Sequence, residues 1–182
     1  MGGHRKSGIW FVIVLFNFQN VLEVPYIKQE RYFCAASCLA MVMLYWGEDT
    51  TQYEIAEKTG WSDNRGVTIQ KLTTFLETLP QYSYKMGSGH IDQLREWLRS
   101  GYPIIVGLRG AAFDIKHAVV LIGFDEKGFF YHDPSQGEKL KIPYARFIID
   151  WASSYCFFCI IIPYTSEVNL EINSNPNTGR DI

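Results

Sequence analysis

Acyl transfer through cysteine needs a nucleophilic thiol, a base to take its proton, and an acid or amide to orient that base. The chain offers a candidate for each. Cys34 opens a run of small and apolar residues that reads as a helix and stops at Gly47. The first turn of a helix carries unpaired N–H groups and the positive end of its dipole, and both favour the reactive thiolate. Position alone fits a buried structural cysteine equally well. Cys38 lies one turn further in, out of reach of the helix terminus, and reads as inert core.

Four histidines are available as bases. His4 lies in the N-terminal segment, His90 precedes a helix as a cap or a solvated residue, and His132 sits inside a strand. His117 opens the most apolar strand of the chain, directly after a glycine-containing loop. A histidine at a strand end is ordinarily just solvated, but a cysteine elsewhere in the chain gives this one a task. Asp133 ends the following strand, so the hairpin turning at Asp125–Gly128 brings residues near 117 and 133 opposite one another. Strand alternation turns His132 to the other face. Taken alone, Asp133-Pro134 is an ordinary turn. Gln29, shortly before the helix, could donate its amide N–H to the oxyanion together with the Cys34 backbone N–H.

The elements that must position these residues are legible from periodicity. Val21–Tyr26 reads as a short extended segment. A buried helix spans Cys34–Trp46, apolar on nearly every face. Further helices are expected from Thr51 to Lys58, Thr68 to Thr78 and Ile91 to Ser100, with Gly87-Ser88-Gly89 as a flexible break before the last. The period then changes to two. Strands are expected over Pro103–Leu108, His117–Phe124, Phe129–His132, Lys139–Ile142 and Ser154–Pro163, with a short helix over Tyr144–Trp151. Helices first and a strand meander afterwards define an α+β domain, with the central helix packed on the sheet.

Length, charge and composition narrow the function. The 182 residues suit one domain, and 47% hydrophobic with 20% charged residues can form a core. A net charge of -2, with no basic cluster beyond His4-Arg5-Lys6, excludes nucleic acid as the main partner. Cys34 and Cys38, like Cys156 and Cys159, are too close in sequence to staple distant parts of the fold, and all four are expected as thiols. One Cys-x-x-Cys without a second pair is poor for zinc, so no metal and no cofactor is expected. Residues 1–20 form a segment whose apolar run Ile9–Phe16 is far short of the ~20 residues a spanning helix needs. It resembles the apolar region of a signal peptide, or else packs on the domain as a strand or helix. The location of the chain is left open by this segment: cytoplasmic, or exported or membrane-associated through residues 9–16 if 1–20 act as a signal. Residues 21–165 are the expected catalytic domain, and 166–182, rich in Asn, Ser, Pro and Gly, a flexible tail.

The ordered set also resembles a known family, the C39 and C39-like cysteine peptidases of the papain-like group. Its first block is Gln29-Glu30-Arg31-Tyr32-Phe33-Cys34-Ala35-Ala36-Ser37-Cys38, running on to Tyr45-Trp46-Gly47. Its second is His117-Ala118-Val119-Val120-Leu121-Ile122-Gly123-Phe124, then Tyr131-His132-Asp133-Pro134. The resemblance implies Cys34 as nucleophile, His117 as base, Asp133 as orienter and Gln29 as oxyanion donor, on a papain-like fold with its helical half packed against an antiparallel sheet. It also implies a peptide or protein substrate, cleaved after a leader ending in small residues. Where the family has Asp-Cys-Gly this chain has Phe33-Cys34-Ala35, which marks a divergent member. Without the long apolar spans of a transporter, it is expected to be free-standing. Two other uses of the same residues stay open, acyl transfer to an amine and an inactive peptide-binding module.

Overall fold

The computed structural model describes residues 20–62, 66–110 and 116–164. The apolar run Ile9–Phe16 and the tail 166–182 lie outside the described residues. Helix α1 spans Cys34–Tyr45, and every residue from Ala36 to Met43 is buried. A helix apolar on all sides cannot lie at a surface, and α1 packs between the sheet and its neighbour α2, Gln52–Lys58. Thr51 caps α2 in a reciprocal box with Glu54, as Thr-x-x-Glu predicts. Thr68 likewise caps α3, Ile69–Glu77. His90 caps α4, Ile91–Arg99, its side chain accepting the Gln93 N–H. Helix α5 spans Tyr144–Ala152.

The strands are β1 (Asn20–Val21), β2 (Tyr82–Ser88), β3 (Ile104–Arg109), β4 (Lys116–Phe124), β5 (Gly128–Asp133), β6 (Gly137–Pro143) and β7 (Phe157–Pro163). Among the described residues they form one sheet ordered β2-β7-β3-β4-β5-β6, with β1 paired to the end of β4 and every pairing antiparallel.

Helices cover both faces of this sheet. One core joins α1, α2 and α3 to Ile105, Val120, Ile122, Cys159 and Ile161. The other joins α4 and α5 to Ile104, Val106, Val119, Leu121 and Ile160. Adjacent residues therefore serve opposite layers, and β3, β4 and β7 read as unbroken apolar runs because both of their faces are dry. Each core of this kind stabilises by roughly 25 cal/mol per Å² of apolar surface removed from water.

Two sequence expectations need correction. The segment before Gly89 is no flexible break; it is the edge strand β2, fully paired with β7 from Tyr82 to Ser88. Its inward residues Tyr82, Tyr84 and Met86 alternate with Ser83 and Lys85, a period-two signal masked by its polar, glycine-ended sequence. The last strand begins at Phe157 and not at Ser154. Tyr155 and Cys156 adopt left-handed φ of 56° and 54° in a turn that precedes it. Cys156 packs toward the α4–α5 layer and Cys159 is buried in the other, so this pair faces apart.

Candidate active site

The hairpin of β4 and β5 carries two of the expected site residues to one end of the sheet. Val120 lies opposite His132, with a bulge between Leu121 and Gly123. His117 and Asp133 are therefore diagonal neighbours on one face, offset by two positions from direct pairing. That still suits a long imidazole and a carboxylate. His117 Nε2 lies 2.7 Å from Asp133 Oδ1. His132 turns the other way, as alternation requires, and is fully buried. It donates Nε2–H to the Val24 carbonyl at 2.9 Å and accepts the Lys139 N–H on Nδ1 at 3.0 Å. A ring that uses both nitrogens for the backbone is a structural residue.

Asp133 is held by its own turn. Its Oδ1 accepts from the Ser135 N–H and Oγ–H, each at 2.8 Å, and from the Gln136 N–H at 3.1 Å. These bonds are local to the Asp-Pro-Ser-Gln turn. They hold the carboxylate oxygen that meets the imidazole. Ser135 was not singled out from sequence, and its Oγ also approaches His117 Nε2 at 3.4 Å.

Cys34 begins α1, whose N-terminal turn has no side-chain cap. Burial works against the thiolate, but hydrogen bonds from the His117 ring and from the backbone at Ala118 and Ala35 outweigh it, and the thiol pKa falls below its ordinary value. On His117 burial again opposes the charge, and the Asp133 and Cys34 hydrogen bonds overcome it, raising the imidazole pKa from 6.5 to about 9. Asp133 is partly desolvated, yet its bond to His117 holds it below the usual carboxylate range. The three shifts describe one arrangement: a thiol, an imidazole and a carboxylate in series, each pushed toward its charged form by the next. With Nε2 committed to Asp133, Nδ1 is the ring nitrogen left for the hydrogen bond to Cys34.

The other thiols are placed differently. Burial pushes Cys38 well above its ordinary pKa and Cys159 up to about 12. All four cysteines are free. Cys34 and His117 open onto a cleft of about 490 Å³, walled by α3 residues Ile69 and Leu72, by Met86 of β2 and by Phe157 of β7.

Gln29 reaches this end of the molecule by a different route. Its backbone N–H donates to the Pro134 carbonyl at 2.9 Å, next to the Asp133 turn. Tyr26 Oη adds bonds to the Asp133 and Pro134 carbonyls at 3.3 and 3.4 Å. The Gln29 side-chain oxygen is buried without a hydrogen-bond partner among the described residues.

A central helix delivering a cysteine to the end of an antiparallel sheet that presents a histidine and an aspartate defines a papain-like α+β peptidase fold. Solved structures bear this out at low identity. A double glycine motif protease from an AMS/PCAT transporter, in complex with a leader peptide, is 24% identical, with a TM-score of 0.64 over 79% of this chain and 94% of that one. A C39-like peptidase from Bacillus anthracis is 20% identical, with a TM-score of 0.67 over 80% and 98%. The peptidase domain of Streptococcus ComA, a bifunctional ABC transporter, is 16% identical, with a TM-score of 0.65 over 78% and 98%. No curated protein matches the chain. The Peptidase_C39 like family model matches residues 21–156, and the chain belongs to that family. Among the described residues, no helix is long and apolar enough to cross a membrane.

Proposed function

We propose that the protein is a thiol peptidase that opens a peptide or amide bond through an acyl-enzyme on Cys34. The observation that carries this reading is the polarised series itself: a thiol held below its ordinary pKa by an imidazole that an anchored carboxylate keeps protonated. A module that only grips peptides has no use for such a thiol.

The Cys34 thiolate attacks the carbonyl carbon. The oxyanion is met by the Gln29 amide and the Cys34 backbone N–H. His117, already protonated, gives its proton to the leaving amine, which departs as the carbon–nitrogen bond breaks. Neutral His117 then takes a proton from water, the hydroxide attacks the thioester, and the acid leaves as Cys34 recovers its thiolate form. Asp133 holds the imidazole in register throughout. Family membership, and the leader peptide bound to the related double glycine protease, support a substrate cleaved after small residues such as Gly-Gly.

An internally quenched peptide with a central Gly-Gly, analysed by mass spectrometry with and without added hydroxylamine, tests this. Cleavage after the second glycine and its loss in Cys34→Ala are expected. A hydroxamate formed with hydroxylamine reports the acyl-enzyme. Equal cleavage by Cys34→Ala would overturn the assignment.

A further inference from the structure

We propose that Gln52 is the positioning residue that holds the amide of Gln29 at the oxyanion. This rests on the reading of Gln29 as oxyanion donor. Gln52 is the first residue of α2, a place where a glutamine is ordinarily solvated, yet it is only 8% exposed. Its Oε1 accepts the Glu30 N–H at 3.0 Å and the Ser37 Oγ–H at 2.8 Å, and its Nε2–H donates to the Lys28 carbonyl at 3.0 Å. Lys28 and Glu30 are the two neighbours of Gln29. One side chain therefore grips both peptide units that flank Gln29, as a partner strand would, where no strand is present.

The third bond joins this segment to the nucleophile. Ser37 is fully buried on α1, within one turn of Cys34, and its own N–H donates to the Phe33 carbonyl at 2.8 Å. The peptide unit between Lys28 and Gln29 is thus held at its carbonyl by Gln52 and at its N–H by Pro134, beside the triad turn. Backbone fixed from both sides fixes the point from which the Gln29 side chain extends, and its buried oxygen is without a partner among the described residues. An oxyanion donor acts only within a few tenths of an ångström of the developing charge, so a residue that fixes its backbone governs rate without touching substrate. An amide carries donor and acceptor side by side in one plane, which is why glutamine suits the role.

Two small probes separate this role from general support of the fold. Iodoacetamide alkylates the Cys34 thiolate by displacement and builds no oxyanion. 4-Nitrophenyl acetate acylates the same sulfur through an oxyanion and releases nitrophenolate in a burst. In Gln29→Ala the acylation rate should fall on the order of 10²-fold with alkylation within about two-fold of the parent. Gln52→Leu should lower acylation by about ten- to a hundred-fold and spare alkylation in the same way. The double variant should be no slower than Gln29→Ala, since both changes remove one effect. Gln52→Glu keeps both acceptor bonds and loses the donor to Lys28, so its acylation rate should fall between parent and Gln52→Leu; if Gln52→Leu does not fold, an unchanged rate in Gln52→Glu overturns the proposal. Loss of alkylation together with acylation in the Gln52 variants would mark a merely structural residue and overturn it too. So would acylation retained in Gln52→Leu while Gln29→Ala loses it. Acylation retained in Gln29→Ala would instead remove Gln29 from the oxyanion site, and the role of Gln52 with it.

Discussion

Replacing Asp133 by asparagine isolates the charge that keeps His117 protonated. The substitution is nearly isosteric, and the asparagine Oδ1 can still accept from His117, Ser135 and Gln136, the donors that converge on Asp133 Oδ1 at 2.7 to 3.1 Å. Geometry is retained and the negative charge is lost. Raising the His117 pKa from 6.5 to about 9 corresponds to about 3 kcal/mol in favour of the imidazolium. Burial opposes this, and the bond to Asp133 is the largest influence working for it, ahead of the bond to Cys34. Without the carboxylate charge the imidazole should titrate well below 9, back toward its ordinary value. The assay is the pH dependence of the 4-nitrophenyl acetate burst between about pH 4 and 10, where a bell reports the macroscopic values of the coupled pair. The parent should hold its rate until His117 deprotonates near 9. Asp133→Asn should lose rate on the alkaline side from about pH 7, with a peak lower by about ten-fold. The acid limb should move the opposite way, because a thiolate with a weaker imidazolium partner protonates at higher pH. An alkaline limb that stays near 9 in Asp133→Asn would refute the reasoning, since His117 would then owe its proton to something other than Asp133.

Three further outcomes follow from the same geometry. Cys34→Ala should abolish burst and turnover while the melting temperature changes little; Cys38→Ala should lose about 1 kcal/mol of stability to the small void it leaves and keep its activity, as denaturant melts and burst amplitudes will report. His117, half-buried, and His132, fully buried, should act on stability with opposite signs. His117, raised in the folded state, contributes fully below about 6.5 and loses that contribution as pH rises to about 9; His132, lowered by burial, makes the fold less stable as pH falls below its unfolded value. Melting curves against pH should show both slopes, His117→Ala flattening only the alkaline one and His132→Ala only the acidic one. Gly128→Ala should be poorly tolerated, because an added Cβ would lie 2.0 Å from the Ile142 carbonyl oxygen. A loss of at least about 1–3 kcal/mol is expected by chemical denaturation.

The chain by itself determined the parts whose physics is local. α1 was readable because a run of small and apolar residues closed by glycine has few other solutions, and the cap at Thr51 was readable because a hydroxyl answers an orphan N–H group three residues on. The pairing of β4 with β5 followed from one turn signal, but the register at that turn would set Asp133 opposite Val120, and it is the bulge, silent in the sequence, that shifts it by one residue onto the face of His117 and diagonal to it. Cys34 could be set apart from Cys38 because their distances from a helix end differ. Other features were decided only in three dimensions. β2 exists because β7, far away in sequence, offers it a partner, while α3 just before it covers its inward residues. The second helical layer on the sheet is a matter of which face each helix finds. Ser135 fixing Asp133 is hidden inside a turn that sequence marks only as a turn. Gln52 illustrates the limit best: a helix-opening glutamine looks solvated in any sequence, and only folding brings Lys28, Glu30 and Ser37 around it, so that burial without those three bonds would be prohibitive.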